Sequence, residues 1–82
     1  MILVDVSVPS IDRTYNFSLD ENVPVSQVVE ELMEMVERKE QTAFVGNRSA
    51  VVLIHKDSKR VLHRDQTLFE AAVSSGSTLM LL

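Results

Sequence analysis

TYNFSLDENVPVSQVVEELMEMVERK, residues 14–39, changes its apolar period once, and that change decides the fold. In its first six residues Tyr15, Phe17 and Leu19 share one parity and Thr14, Asn16 and Ser18 the other, the period of two of a half-buried strand. From Val25 onward the apolar positions are Val25, Val28, Val29, Leu32, Met33, Met35 and Val36. Offsets of three, four, seven and eleven from Val25 draw one stripe along a helix. The spacing predicts a helix over 25–39. Of Met33 and Met35, only one fits the stripe beside Leu32 and Val36; the other is expected at its edge, where a flexible thioether adapts. Asp20, Glu21 and Asn22 offer negative charge and capping oxygens ahead of the helix. Pro24 is tolerated at an N-terminus because no intrahelical N–H is lost there, and Arg38 and Lys39 suit the C-terminal end of the dipole.

Upstream, residues 2–8 read ILVDVSV, with Ile2, Val4, Val6 and Val8 on one parity. The turn-rich stretch Pro9-Ser10-Ile11-Asp12-Arg13 separates this strand from residues 14–19, which makes the pair an antiparallel hairpin. Downstream, residues 40–49 show no period; Gly46-Asn47 is a turn signal, and Ala43-Phe44-Val45 reads equally as a short strand or a loop anchor. Residues 50–56, AVVLIHK, form the next strand, and apolar character on both parities suggests a central strand or one covered on both faces. Asp57-Ser58-Lys59-Arg60 turns into a short strand at Val61-Leu62. Thr67, with Glu70 three residues on, is placed to cap a short helical turn through Val73. Residues 78–82, TLMLL, are the last strand.

A helix between two hairpins must cover one face of a single sheet. The first and last strands are both strongly apolar and would make poor edges, so the last strand is expected beside the first. The expectation is an α+β chain, a β-grasp: one domain over 1–82, a mixed sheet of four to five strands packed on one helix plus a short helical turn.

Composition narrows the function. Eight basic against twelve acidic residues leave a net charge of −4, which gives no support to a nucleic-acid binder. No run approaches the ~20 apolar residues of a membrane span, so direct membrane insertion is not expected. No secretory signal pattern is recognisable. Without cysteine there is no disulfide, thiolate zinc site or thiol catalysis. His55 and His63 are the only histidines, and the nearby Asp57 and Asp65 show no ligand spacing. No G-x-S-x-G elbow and no glycine-rich phosphate loop occur. Catalytic, metal-binding and cofactor-binding residues are therefore none, and the chain reads as a non-enzyme.

The C-terminal run Thr67-Leu68-x-x-Ala71-x-Val73-x-x-Gly76-x-x-Leu79-x-Leu81 resembles the signature of ubiquitin-like domains, as does the register of Leu19, Val25, Val28 and Leu32. Through Val52-Leu53-Ile54-His55-Lys56-Asp57, Val61-Leu62 and Gly76 the chain is most similar to the YukD/EsaB group. These are small bacterial ubiquitin-like proteins encoded with type VII (WXG-type) secretion systems. The resemblance implies a cytoplasmic accessory or regulatory component whose partners are proteins of the secretion system. Conjugated relatives and sulfur carriers end in a mobile Gly-Gly tail, whereas here the sequence reads Thr78-Leu79-Met80-Leu81-Leu82. A conjugatable modifier or sulfur carrier is the first alternative, and an N-terminal docking domain of a larger membrane secretion protein the second.

The same resemblance locates a candidate surface. If Leu53, Leu79 and Leu81 point inward, then Val52, Ile54, Met80 and Leu82 point outward on neighbouring strands, with Leu3 expected to flank them. This open-face position resembles the hydrophobic recognition patch of ubiquitin-like folds and suggests partner docking or a homo-oligomer. Charge is divided as well. Residues 20–40 carry −5, and residues 48–64 carry +4 through Arg48, Lys56, Lys59, Arg60 and Arg64 against Asp57, so two ends are available to steer different partners.

Overall fold

The computed structural model describes residues 1–43 and 48–82. Among the described residues five strands and one α-helix follow in the order β1 (Ile2–Val8), β2 (Arg13–Leu19), α1 (Val25–Glu40), β3 (Leu53–His55), β4 (Arg60–Val61) and β5 (Thr78–Leu81). The sheet order is β2-β1-β5-β3-β4. β1 and β5 pair in parallel, with Val6 opposite Leu79, and the other pairs are antiparallel. The chain is ubiquitin-like in fold, and the last strand does lie beside the first. Parallel neighbours need a long crossover, which everything between β1 and β5 supplies.

Alternation sorts β1 cleanly: Ile2, Val4, Val6 and Val8 are buried, and Leu3 and Asp5 are exposed. Below them lie Val25, Val28, Val29, Leu32, Met33 and Val36 of α1. Met33 takes the stripe position and is fully buried, while Met35 is half-buried at its margin. Leu53, Leu79 and Leu81 complete the layer from β3 and β5, and Leu68 plugs it from the loop. Phe17 and Tyr15 stack with ring centroids 5.6 Å apart, and the Tyr15 hydroxyl donates to the Glu40 carboxylate at the end of the helix.

The helix start differs from its expectation. Asp20, Glu21 and Asn22 do not cap α1; Pro24 is the N-cap residue, with no side-chain cap bond and no acid in the first turn. The main chain of the 64–67 segment does the capping. The Val25 N–H donates to the Gln66 carbonyl at 2.8 Å, and the Ser26 N–H to the Arg64 carbonyl at 3.0 Å. With carbonyls already seated on the orphan N–H groups, no side-chain oxygen is needed there. Asp20 instead accepts from the Asn22 N–H, shaping the turn between β2 and α1. The segment that caps is itself held by the expected reciprocal pair: Thr67 Oγ1 accepts from the Glu70 N–H, and Glu70 Oε1 from the Thr67 N–H. Residues 68–72 form successive turns and not a regular helix, because Ala72 takes a left-handed φ of 61°.

The third strand is shorter than expected. Regular β3 covers 53–55, and residues 48–50 form a 3₁₀ turn. Val52 stays in line all the same, exchanging two backbone hydrogen bonds with Leu82 at 3.0 Å each. β3 is interior, but β5 and not β3 lies in the middle of the sheet next to β1. The apolar residues on both parities of β3 thus reflect a core face and an uncovered face. Of the undecided segment 43–45, Phe44 and Val45 lie outside the described residues. Gly76 sits at φ +93°, a left-handed geometry that glycine adopts freely, and its N–H donates to the Leu3 carbonyl as the chain enters β5.

Two outcomes follow for stability. Thr67→Ala removes the bond that holds the capping segment and lowers unfolding free energy by about 1 kcal/mol, whereas Asn22→Ala changes it by less than about 0.5 kcal/mol. Urea titrations of both variants check the ranking. The second outcome concerns acid. The Glu21 carboxylate is held below the usual carboxylate range, first by its own backbone N–H and then by the Met1 ammonium at 3.1 Å. A lowered folded value stabilises above the unfolded value, and that stabilisation is lost as pH falls through the folded one. Glu21→Gln therefore lowers the melting temperature near about pH 7 and not near about pH 2, and thermal melts at the two pH values compare them.

Candidate interaction surface

α1 covers one face of the sheet. The opposite face follows from strand register. Ile54 lies opposite Val61 on one side and Met80 on the other; Met80 neighbours Ser7, and Ser7 lies opposite Thr14. One transverse row therefore reads Val61, Ile54, Met80, Ser7, Thr14. Val52 and Leu82 form the adjacent row through their reciprocal bonds. Val61 is 58% exposed, Leu82 52% and Val52 38%, while Ile54 and Met80 are partly exposed between them. These five side chains make a continuous apolar area on an uncovered face.

Leu3 shares the face but not the cluster. Its carbonyl meets Gly76, before the start of β5, whereas Leu82 lies past the end of that strand. Between them runs a polar row: the Lys56 N–H donates to the Thr78 carbonyl, Thr78 lies beside Asp5, and Asp5 lies opposite Asn16, whose amide donates to the Asp5 carboxylate at 3.1 Å. Two strands running the same way from offset starts put Leu3 at one end and Leu82 at the other. Ser7, not Leu3, is the β1 neighbour of the patch.

Val61 is the member that sequence reading missed. With Leu62 it reads as a strand of two residues, too short to show a period from which parity could be read. Leu62 is buried, and its N–H donates to the Leu53 carbonyl, so Val61 must face the other way. A signal existed in the strand–turn–strand spacing across residues 56–59, which sets Val61 opposite Ile54.

Charge surrounds the patch unevenly. Lys56, Lys59 and Arg60 are exposed at the β3–β4 turn beside it, whereas exposed Glu30 and Glu34 belong to α1 behind the sheet. Lys56, Lys59 and Arg60 thus sit at one turn of the sheet and Glu30 and Glu34 on the helix behind it.

His55 ends β3 on the core side and is buried, and His63 is exposed in the loop after β4. His55 Nδ1 lies 3.0 Å from Ser58 Oγ, and His55 Nε2 lies 3.3 Å from an Asp57 carboxylate oxygen. The same Asp57 oxygen accepts from the Thr78 N–H at 3.3 Å. All three side chains come from one four-residue turn, and the ring is packed inside it. The arrangement ties the β3–β4 turn to β5. Among the described residues no three His, Cys, Asp or Glu side chains converge as a metal site, and no helix is long and apolar enough to cross a membrane.

Comparison with known structures supports the fold. The ubiquitin-like domain of EccD5 from Mycobacterium xenopi is similar, with a TM-score of 0.77, 22% identity, 99% of this chain covered and 91% of that one. The N-terminal ubiquitin-like domain of the 4931431F19Rik protein has a TM-score of 0.76 and 22% identity, covering 99% and 72%. A ubiquitin-like domain from Arabidopsis thaliana has a TM-score of 0.72 and 20% identity, covering 99% and 74%. At these identities the likeness is one of fold. No curated protein matches the chain significantly. The family model described as WXG100 protein secretion system (Wss), protein YukD, matches residues 3–81, nearly the whole chain, and the protein therefore belongs to the YukD family.

Proposed function

We propose that the chain is a non-catalytic, cytoplasmic docking module of a WXG100-type secretion system, acting through the open face of its sheet. The observation that carries this reading is the continuous apolar area of Val52, Ile54, Val61, Met80 and Leu82 on the face that α1 does not cover. A chain this small gains little by leaving five such side chains outside its core, and fully burying each against a partner is worth roughly 1.5–3 kcal/mol. Lys56, Lys59 and Arg60 beside the patch favour a partner surface with apolar anchors rimmed by carboxylates. Membership of the YukD family, described as part of the WXG100 protein secretion system, supports protein components of that apparatus as the partner class. The turn-bound, buried His55 supports a structural role over a catalytic one.

Binding of the cytosolic domains of the secretion apparatus, measured by calorimetry, tests the reading. Ile54→Asp and Val61→Asp each weaken binding by about tenfold or more, because each puts a charge into a buried apolar contact. Leu3→Asp, beyond the polar row, changes it by less than about threefold. All three keep the wild-type far-ultraviolet circular dichroism. Wild-type affinity in both Ile54→Asp and Val61→Asp would refute the proposed face. Rim contacts with carboxylates also predict that association slows as salt rises from about 50 to about 500 mM, which stopped-flow mixing measures.

A further inference from the structure

Among the described residues, the outer edge of β2 is the second surface without a partner. The Leu3 carbonyl and the Asp5 N–H both point at residues 76–77, on the β5 side of β1. Main-chain direction alternates along a strand, so Ile2, Val4, Val6 and Val8 aim their N–H and C=O groups at β2, where their partners are Leu19, Phe17, Tyr15 and Arg13. The main-chain groups of Thr14, Asn16 and Ser18 therefore aim away from the sheet. The other edge, β4, is only two residues long, whereas β2 has seven. Edges are ordinarily blunted by proline, bulges or charges. β2 has no proline, pairs with β1 without a break in register, and carries one charge, Arg13, at its first residue. Asn16 does not cover the edge, because its side chain turns inward to Val4 and Asp5.

We propose that this edge pairs with the β2 edge of a second copy, antiparallel about a two-fold axis through Phe17. In that register Asn16 of one copy exchanges both main-chain hydrogen bonds with Ser18 of the other, and Thr14 does the same with residue 20. Shifting the axis to Asn16 would set Asp12 against Asp20, a like-charge pair. The Phe17 register instead brings Arg13, 64% exposed and only 3.9 Å from Glu40 in its own copy, to Asp20 and Glu21 of the second copy. No charge falls between positions 14 and 19, so nothing in the paired stretch opposes contact. The axis stands perpendicular to the sheet. Both helices then lie on one side, and both open faces lie together on the other, where a bivalent partner engages the two at once.

A single edge pairing buries little area, so the dimer is weak and appears at high concentration. Sedimentation velocity from about 10 µM to about 1 mM, with amide hydrogen exchange at both ends of that range, tests it. Dimers are expected, with exchange of the Thr14, Asn16 and Ser18 amides slowed about tenfold or more at the upper concentration and the Ile54 and Val61 amides unchanged. Ser18→Pro deletes an outward N–H at an edge position that tolerates proline, and it weakens the dimer about tenfold or more at unchanged circular dichroism. A wild type monomeric at about 1 mM overturns the proposal, as does a dimer without slowed exchange at those three amides. So does a dimer that survives Ser18→Pro and is lost in Ile54→Asp. The exchange measurement decides even if Ser18→Pro fails to fold, and failure at this edge leaves the open-face docking reading intact.

Discussion

The structure depends on one pairing: β1 and β5, parallel and adjacent in the middle of the sheet, with Val4, Val6, Leu79 and Leu81 buried on their common face. Two consecutive strands need only a turn between them, but two parallel strands from opposite ends of the chain need everything else to lie between. Once Val6 meets Leu79, the hairpin must flank one side, β3 and β4 the other, and α1 must cross under the face where the valines point. The sequence satisfies this with alternation in four strands and one helical stripe, so each local preference agrees with the global arrangement.

The same pairing leaves the opposite face without a covering helix among the described residues. A single helix covers one side of a five-stranded sheet, and residues of even and odd parity in β3 and β5 are both apolar. The surplus cannot enter the core without a register slip that would expose Leu53, Leu79 and Leu81 instead. It therefore collects as a surface patch whose position is dictated by the strands that make the core. Fold and apolar patch are in this sense consequences of one register.

Most of the fold was legible because it rests on periodicity. The strand 2–8, the helix stripe and the Thr67–Glu70 capping pair were all readable from residue types alone. The helix cap was not, because the groups that satisfy Val25 and Ser26 are the backbone carbonyls of Gln66 and Arg64, far away in sequence, and every residue type carries one. Acids upstream of a helix looked sufficient; the tertiary contact made them unnecessary. The outward face was legible where parity decides, at Val52, Ile54, Met80 and Leu82; position along that face depends on the offset between strands, which parity does not carry. Leu3 has the right parity, yet the offset of β1 against β5 carries it past the Asp5–Thr78 row. Val61 was missed because a two-residue strand has no period of its own.

The central claim is that this apolar row is free in the folded protein. Methyl nuclear magnetic resonance of the isolated chain with a soluble paramagnetic agent measures it directly. The account predicts strong broadening of Val52, Val61 and Leu82 methyl groups, partial broadening of Ile54 and Met80, and sharp resonances for Val4, Val6 and Leu79. Methyl groups of Val61 and Leu82 as protected as those of Leu79 would contradict it.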